Sequence, residues 1–266
     1  MSDTTPTADR AAPDSLVALL PVQWEPDQTS LLATAHPDVW AEPCHHQPLE
    51  HGGARFQFGD DLPPITLSVD PPMEELVDAA GMAKKPFQAA ELANLKAHTA
   101  LWRITMEEVS QAPVERAHGF ARFLATAMEA GAAGVFLPFC AQVHSPGLIK
   151  HLAVDFSQPP ALINLFINAW NDDDWMVTRG LTVLGLPELE TPLEGGLNDA
   201  YFRLMDVAAG MLLQRDAYPE GAHIQLGPHR YAIVEGPSGP PDRQIPLCGL
   251  YGRLTIRRPD DLVAST

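Results

Sequence analysis

The 266-residue chain has little positive charge and no phosphate-binding motif. It carries 17 lysines and arginines against 34 aspartates and glutamates, so its formal net charge is −17. Neither the G-x-G-x-x-G motif of dinucleotide-binding proteins nor the G-x-x-x-x-G-K-[ST] motif of P-loop proteins occurs in it. Because nucleic acids and anionic membranes bind to cationic surfaces, this composition argues against both as partners. We also expect no cofactor.

Cysteines and long apolar segments are scarce as well. The three cysteines, Cys44, Cys140 and Cys248, form no C-x-x-C pair, and Cys140 lies in an apolar run where we expect a buried thiol. The first ten residues lack the basic and apolar regions of a secretory signal. The longest near-continuous apolar run, residues 130–141, is too short to cross a bilayer. These features predict a reduced, cytoplasmic protein without a membrane partner.

The chain is rich in residues that end helices and strands. Its 19 glycines and 26 prolines predict many turns between short elements. Apolar segments of alternating or continuous character predict strands, among them 16–22, 55–59, 65–70, 95–106, 161–170 and 176–186. The segment between Pro113 and Gly131 and the segment 197–213 have the three- and four-residue spacing of amphipathic helices. The predicted class is α+β, with largely antiparallel sheets packed by these two long helices.

The distribution of these elements predicts one folded domain with two short tails. Residues 1–12 and 259–266 are expected to be tails, the first of them flexible, and residues 13–258 to form a single α+β domain. Its halves, about 13–150 and 151–258, each combine strands with one long helix. We therefore consider the hypothesis that the two halves arose by duplication.

Histidines are the candidates for metal chemistry. The possible ligands are His45, His46 and His51 in one polar segment and His98 in a predicted strand. Zinc hydrolases carry two histidines one helical turn apart beside a glutamate, and Pro48 prevents a helix in the polar segment. The H-x-x-E-H spacing is absent too. We therefore predict a polar loop over residues 42–53 and no metal ion, with a satisfied structural role for His98.

Carboxylates cluster at two places in the second half. The predicted partner-binding residues are Asp172, Asp173, Asp174, Trp175, Glu188 and Glu190. The three aspartates form the turn of a predicted hairpin, and the two glutamates follow in the next loop. The spacing of an EF-hand calcium loop is absent. Because aromatic side chains beside charges are common at interfaces, we predict an acidic surface that docks a protein.

A string in the second half carries a family resemblance. Residues 178–190 read T-R-G-L-T-V-L-G-L-P-E-L-E, which resembles the T-x-G-L…G-L-P-E-L-E hallmark of an uncharacterised bacterial family, a domain of unknown function. Residues 95–98, L-K-A-H, are similar to the family's H-K-A-H segment, with leucine in place of the first histidine. The resemblance covers roughly residues 16–256. It implies no established reaction, and members of the family resemble immunity or accessory proteins of bacterial toxin and secretion systems.

The residues of this string also have a purely structural explanation. Gly180 and Gly185 allow a bulge or a close approach of the backbone, and Pro187 ends strand pairing. Glu188 and Glu190 fit loop or helix-start positions. A ligand or partner site that uses the two carboxylates is the alternative.

The sequence as a whole predicts a non-enzymatic acidic protein that binds another protein, basic in character. The family resemblance makes an immunity or accessory factor of a bacterial toxin or secretion system the specific expectation. The first alternative is a metal-dependent hydrolase that uses His45, His46, His51 and His98. The second is a small-molecule sensor with a pocket between the sheet and the two long helices. The sequence leaves the oligomeric state open.

Overall fold

The computed structural model describes residues 15–23, 44–49, 53–58, 63–107, 112–156, 158–236 and 252–259. The first predicted tail, all but residue 259 of the second, and His51 lie outside these residues. The described chain folds into helices and two sheets in which nearly all strand pairs are antiparallel, so the α+β class is confirmed.

The first sheet has seven strands, all paired antiparallel. They are β1 (Ser15–Val22), β2 (Cys44–Pro48), β3 (Ala54–Phe58), β4 (Ile65–Asp70), β5 (Ala100–Glu107), β6 (Val135–Leu137) and β7 (Gln142–His144). Their order across the sheet is β2-β3-β4-β5-β1-β6-β7. Central strand β5 alternates near its end, with Ile104 and Met106 buried and Arg103 and Glu107 exposed, as expected for a strand that has one face on a core.

Six α-helices are distributed over the described residues. They are α1 (Glu75–Ala79), α2 (Ala89–Lys96), α3 (Pro113–Glu129), α4 (Pro146–Leu152), α5 (Pro159–Phe166) and α6 (Leu197–Gln214). Pro113, Pro146 and Pro159 each occupy a first turn, where the missing amide hydrogen costs nothing. None of the helices within the described ranges combines the length and apolar character that crossing a bilayer demands.

The second sheet has six strands and contains a parallel pair. Its strands are β8 (Asn168–Asp172), β9 (Trp175–Arg179), β10 (Glu188–Pro192), β11 (His223–Leu226), β12 (His229–Glu235) and β13 (Arg253–Arg257). Their order is β11-β12-β13-β10-β9-β8, and among these described strands only β10 and β13 run parallel. This parallel pair forms the middle of the sheet, so both ends of β10 lie beside the corresponding ends of β13.

Several predicted strands have different bounds or a different type. The predicted strand 161–170 is helix α5 followed by β8; Pro159 starts a helix, and a short apolar run fits a buried helix as well as a strand. The predicted strand 95–106 begins only at residue 100, because α2 occupies 89–96. The strand predicted over 176–186 ends at Arg179 and gives way to a 3-10 helix. Within the predicted loop 42–53, residues 44–48 form edge strand β2.

One apolar cluster joins the two sheets. It includes Leu16 of β1, Phe120 of α3, Phe166 of α5, Leu204 of α6 and Ile256 of β13. Helices α3 and α5 therefore share a core with strands of both sheets. Cys140 is fully buried in the same cluster, as predicted. A second, smaller cluster on the other face of the first sheet holds α1 and α2 against β1 and β5. No observation tests whether the two halves are related, and that hypothesis stays a prediction.

Candidate functional site

The string of residues 178–190 forms a compact reversal between β9 and β10. Gly180 has φ +114° and Gly185 has φ +75°, and the 3-10 helix Leu181–Leu184 lies between them. A Cβ on Gly180 would lie 1.9 Å from the carbonyl oxygen of Phe166, and one on Gly185 would lie 2.8 Å from Cγ of Pro113. Both glycines are therefore required by backbone conformation and by close packing against α5 and α3.

The buried side chain of Glu188 accepts hydrogen bonds from residues of this reversal. Its side chain is buried, with 1% of the residue exposed, and it accepts hydrogen bonds from Thr178 Oγ1 and the Gly180 amide, both at 2.8 Å. The Thr182 amide donates to the same oxygen as Gly180, at 3.2 Å. Burial raises the pKa of Glu188, and these hydrogen bonds oppose the rise. The carboxylate thus satisfies amides at the start of the 3-10 helix and presents no charge at the surface.

Glu190 is enclosed in the parallel strand pair. It has no exposed surface, and it accepts hydrogen bonds from Thr255 Oγ1 at 2.6 Å and from Arg253 Nη1 at 3.2 Å. Thr255 lies opposite Glu190 in the register of β10 and β13. Glu188 and Glu190 therefore lie inside strand β10, not in the predicted loop or at a helix start, because buried donors satisfy both carboxylates there.

Asp173 and Asp174 form the β8–β9 hairpin turn within the predicted aspartate turn, and Asp172 is the last residue of β8. Asp173 and Asp174 are exposed, and Asp173 adopts φ +53°, a left-handed conformation that aspartate tolerates. Trp175 is half-buried, and the guanidinium carbon of Arg257 lies 4.9 Å from its ring centroid. The Leu193 amide donates to the Asp174 carbonyl at 2.9 Å. This bond joins the turn to the segment that leads into α6.

An exposed aromatic residue lies beyond this junction, on α6. Phe202 is 62% exposed, and Asp199 and Asp206, three residues before and four after it, lie on the same side of the helix. These residues and Glu194 line a groove of about 320 Å³ between α6 and the β11–β12 turn. We call Asp172, Asp173, Asp174, Glu194, Asp199, Phe202 and Asp206 together the acidic face.

Two described arginines line the groove of the acidic face, and both already have a partner there. Arg258 lies 3.6 Å from Glu194, and Arg203 is buried, donating to Thr191 Oγ1 at 2.6 Å and to the Glu194 carbonyl at 3.0 Å. Asp199 and Asp206 form no ion pair within the described part of the chain. The face therefore keeps an excess of negative charge.

Sequence reasoning missed the α6 part of the acidic face. The apolar stripe of the helix runs through Tyr201, Leu204, Ala208 and Met211, and Phe202 lies outside it. An aromatic residue on the polar side of an amphipathic helix is the signal that could have identified this surface. The contact between residues 174 and 193, in contrast, depends on strand pairing that the local pattern does not reveal.

The candidate metal ligands are dispersed. His45 and His46 are consecutive in β2, so their side chains point to opposite faces of the sheet, and the His46 ring packs 5.2 Å from the ring of Phe56. His98 is buried; its Nδ1 donates to the Leu95 carbonyl at 2.7 Å and its Nε2 accepts from the Met73 amide at 3.1 Å. Among the described residues, no three histidine, cysteine or acidic side chains converge on a position for a metal ion.

A cleft of about 530 Å³ lies at the opposite end of β10 from the acidic face. The starts of α3 and β13, the ends of α6 and β12, and residues 184–187 of the string surround it. Its apolar lining comes from Val114, Leu184, Leu186, Pro187, Leu212 and Leu254. The structure thus contains a cavity between the second sheet and the two longest described helices.

No known protein family, curated protein or solved structure matches the chain.

Proposed function

We propose that this chain is a non-enzymatic binding protein that docks a basic protein partner on its acidic face. The observation that carries the proposal is the exposed Phe202 ring, flanked by two carboxylates that form no ion pair with any described residue and beside a groove that Glu194 also lines. Large aromatic residues at the centre of a polar rim are typical of protein interfaces. A partner that offers an apolar pocket ringed by lysine or arginine fits this chemistry.

The charge of the chain supports a basic partner for the acidic face. The chain carries a net charge of −17, and the arginines beside the face already have partners. Opposite charges accelerate association and make it sensitive to salt. The docking set is therefore the aspartate turn with Asp199, Phe202 and Asp206, while Glu188 and Glu190 support the sheet behind it.

The family resemblance extends this proposal to a biological setting. We place the chain, as a proposal, among immunity or accessory proteins of bacterial toxin or secretion systems, in which the basic partner would be the toxin or a secretion component. The enclosed carboxylates of the G-L-P-E-L-E string lie in β10, which pairs with strand β9 of the aspartate hairpin.

Site-specific crosslinking tests the proposal while the partner is still unidentified. A photoreactive amino acid replaces Phe202 in one protein and Met82, which is 85% exposed and distant in sequence, in a matched control. We expect a defined adduct from cells of the source organism only at position 202, with a protein that has a basic surface. Equal adducts at both positions, or none at position 202, would contradict the proposal.

Charge reversal then tests, with the purified partner, whether the acidic face is the docking surface. The variant Asp199→Lys/Asp206→Lys should weaken binding by at least tenfold, mostly through slower association, because steering by opposite charge is lost. The control Glu74→Lys/Asp78→Lys changes two exposed carboxylates near α1 by the same total charge. The same loss of affinity in both variants would show that only net charge matters and would overturn the acidic face as the docking surface.

The small-molecule sensor is the second candidate, because one observation favours it. The cleft lies between a sheet and the two longest described helices, where such a sensor would carry its pocket. Its volume is in the range of small-molecule sites, about 300–1,000 Å³.

A further inference from the structure

We infer that the cleft at the start of β10 binds an organic cation, an amine or guanidine on an aliphatic body. This site is separate from the acidic face and does not depend on the protein partner proposed above. The five residues of β10 separate the two regions, a distance of about 16 Å at the usual rise of a strand.

The apolar lining of the cleft fits an aliphatic body. Leu184, Leu186 and Pro187 come from the string, and Leu212 and Leu254 come from α6 and β13. These residues present carbon atoms from three separate elements to one cavity. A ligand that buries methylene groups against them gains the hydrophobic contribution of each group, about 0.8 kcal/mol in transfer experiments.

The charges around the cleft favour a cationic head group. Among the described residues, the charged ones that line it are Glu115, Asp216, Glu220, Glu235, Arg215 and Arg253. Both arginines already have carboxylate partners: Arg215 contacts Glu115 at 2.6 Å, and Arg253 contacts Glu190 at 3.2 Å. Asp216, Glu220 and Glu235 have no ion pair in the described part of the chain. The described lining of the cleft thus carries an excess of negative charge.

The end of helix α6 adds to the negative charge around the cleft. Helix α6 ends at the cleft, and the negative end of its dipole attracts cations. The positive end of α3 is also present, and Glu115 in the first turn of that helix already compensates it. Glu115 Oε2 is buried without a hydrogen-bond partner among the described residues, while Oε1 accepts from Arg215. That oxygen has no exposed surface, so a cation in the cleft meets the exposed carboxylates of Asp216, Glu220 and Glu235 instead.

Calorimetric titration with three probes of similar length tests the inference. The probes are agmatine, which carries a guanidinium and an ammonium group, hexanediol, which is neutral, and adipate, which carries two carboxylates. We expect agmatine to bind with one-to-one stoichiometry, more weakly as salt is added, and the other two not to bind. Binding of adipate as tight as that of agmatine, or no binding of agmatine at millimolar concentration, would overturn the inference.

Charge variants locate the bound cation. Glu220→Gln/Glu235→Gln should weaken agmatine binding by about tenfold or more, since a hydrogen bond to a charged group contributes at least that much. The control Glu74→Gln/Asp78→Asn removes two exposed carboxylates from the α1 region and should leave the affinity unchanged. Equal losses in both variants would place the cation outside the cleft.

A cavity-filling variant tests the apolar part of the site independently of charge. Ala217 lines the cleft and is half-buried, so Ala217→Phe inserts a ring without removing a core side chain. We expect loss of agmatine binding with an unchanged melting temperature. Retained binding in a folded Ala217→Phe protein would contradict a ligand in this cavity. Asp199→Lys/Asp206→Lys on the acidic face should still bind agmatine, which distinguishes failure of this inference from failure of the docking proposal.

Discussion

Glu188 is a buried carboxylate whose two oxygens connect both sides of a chain reversal. One oxygen accepts from the amides of Gly180 and Thr182, and the other accepts from the Thr178 hydroxyl. The Thr178 hydroxyl oxygen in turn accepts from the Leu189 amide at 2.7 Å. Three backbone amides are therefore satisfied by two side chains, which is how a reversal this tight avoids unpaired polar groups.

Replacing Glu188 tests this role. Glu188→Ala leaves the Gly180 and Thr182 amides without an acceptor, and we expect the free energy of unfolding to fall by about 3 kcal/mol. Glu188→Gln keeps one acceptor oxygen for the amides, and its NH₂ group can donate to Thr178, so we expect a loss of only about 1 kcal/mol. Urea unfolding of the three proteins measures the difference. Equal losses in the two variants would show that the amides find other partners.

His144 makes stability depend on pH. It is fully buried, its Nε2 lies 2.8 Å from the Leu165 carbonyl, and burial lowers its pKa to about 4. Between the ordinary pKa of 6.5 and about 4, the unfolded chain binds a proton at this residue and the folded chain does not. The stability from neutral His144 is therefore present above pH 6.5 and is lost as pH falls toward 4, by about 3 kcal/mol.

Comparison with His144→Gln isolates this effect from other groups that titrate in the same range. Glutamine keeps a donor for the Leu165 carbonyl and has no proton to gain. The free energy of unfolding of the variant should therefore change less than that of the unmodified protein between pH 6.5 and about pH 4. Parallel pH profiles for the two proteins would contradict the assignment to His144.

At the scale of elements, the type of several segments follows from the sequence pattern, whereas one apolar run does not reveal its type. Helix α3 begins at the predicted Pro113, and β4 occupies the predicted residues 65–70. The run 161–170 was assigned to the wrong type, because a few apolar residues are compatible with either buried element. Pro159 at the start of this segment and the packing of its apolar residues between the two sheets favour the helix.

The candidate site was predictable only where its residues are consecutive. The aspartate turn is contained in three adjacent residues, and the sequence identified it. Phe202 lies on a separate element, α6, and the segment before that helix contacts the turn through the Asp174–Leu193 hydrogen bond beside the β9–β10 pair. Glu188 and Glu190 were grouped with the aspartates because charged residues are usually exposed. Local donors, invisible in the sequence pattern, allow both to be buried.

The glycines of the string provide an element-scale prediction. Gly180→Ala would place a Cβ 1.9 Å from the Phe166 carbonyl oxygen at φ +114°, so we expect it to lower the unfolding free energy by more than about 4 kcal/mol. Gly131 has a similar φ of +100° at the end of α3, and no described atom lies within 4 Å of the point that a Cβ would occupy there. Gly131→Ala should therefore lower the unfolding free energy only by the cost of a left-handed backbone conformation for alanine, about 1–2 kcal/mol. Thermal unfolding of both variants separates close packing from backbone strain, and equal losses would contradict the packing argument.

At the scale of the whole molecule, the second sheet separates two negatively charged regions with different geometry. The acidic face is open and carries an exposed aromatic ring, which suits a protein surface. The cleft is lined by leucines and carboxylates, which suits a small organic cation. Both depend on the same parallel pair, because the ends of β10 and β13 position the two regions. The buried Glu190–Arg253 contact thus supports both sites without contacting a ligand on the acidic face.

The aspartate turn should cost the isolated protein stability. Three adjacent carboxylates in a chain of net charge −17 repel one another and the remaining negative charge. Asp172→Asn/Asp173→Asn/Asp174→Asn removes this repulsion, and asparagine tolerates the left-handed conformation at position 173. We expect the melting temperature to rise by a few degrees at low salt, equivalent to about 1 kcal/mol, and the gain to disappear at high salt, where the charges are screened. A variant that is less stable at low salt would mean that the carboxylates stabilise the fold, whereas a gain in stability would show that the fold does not require them.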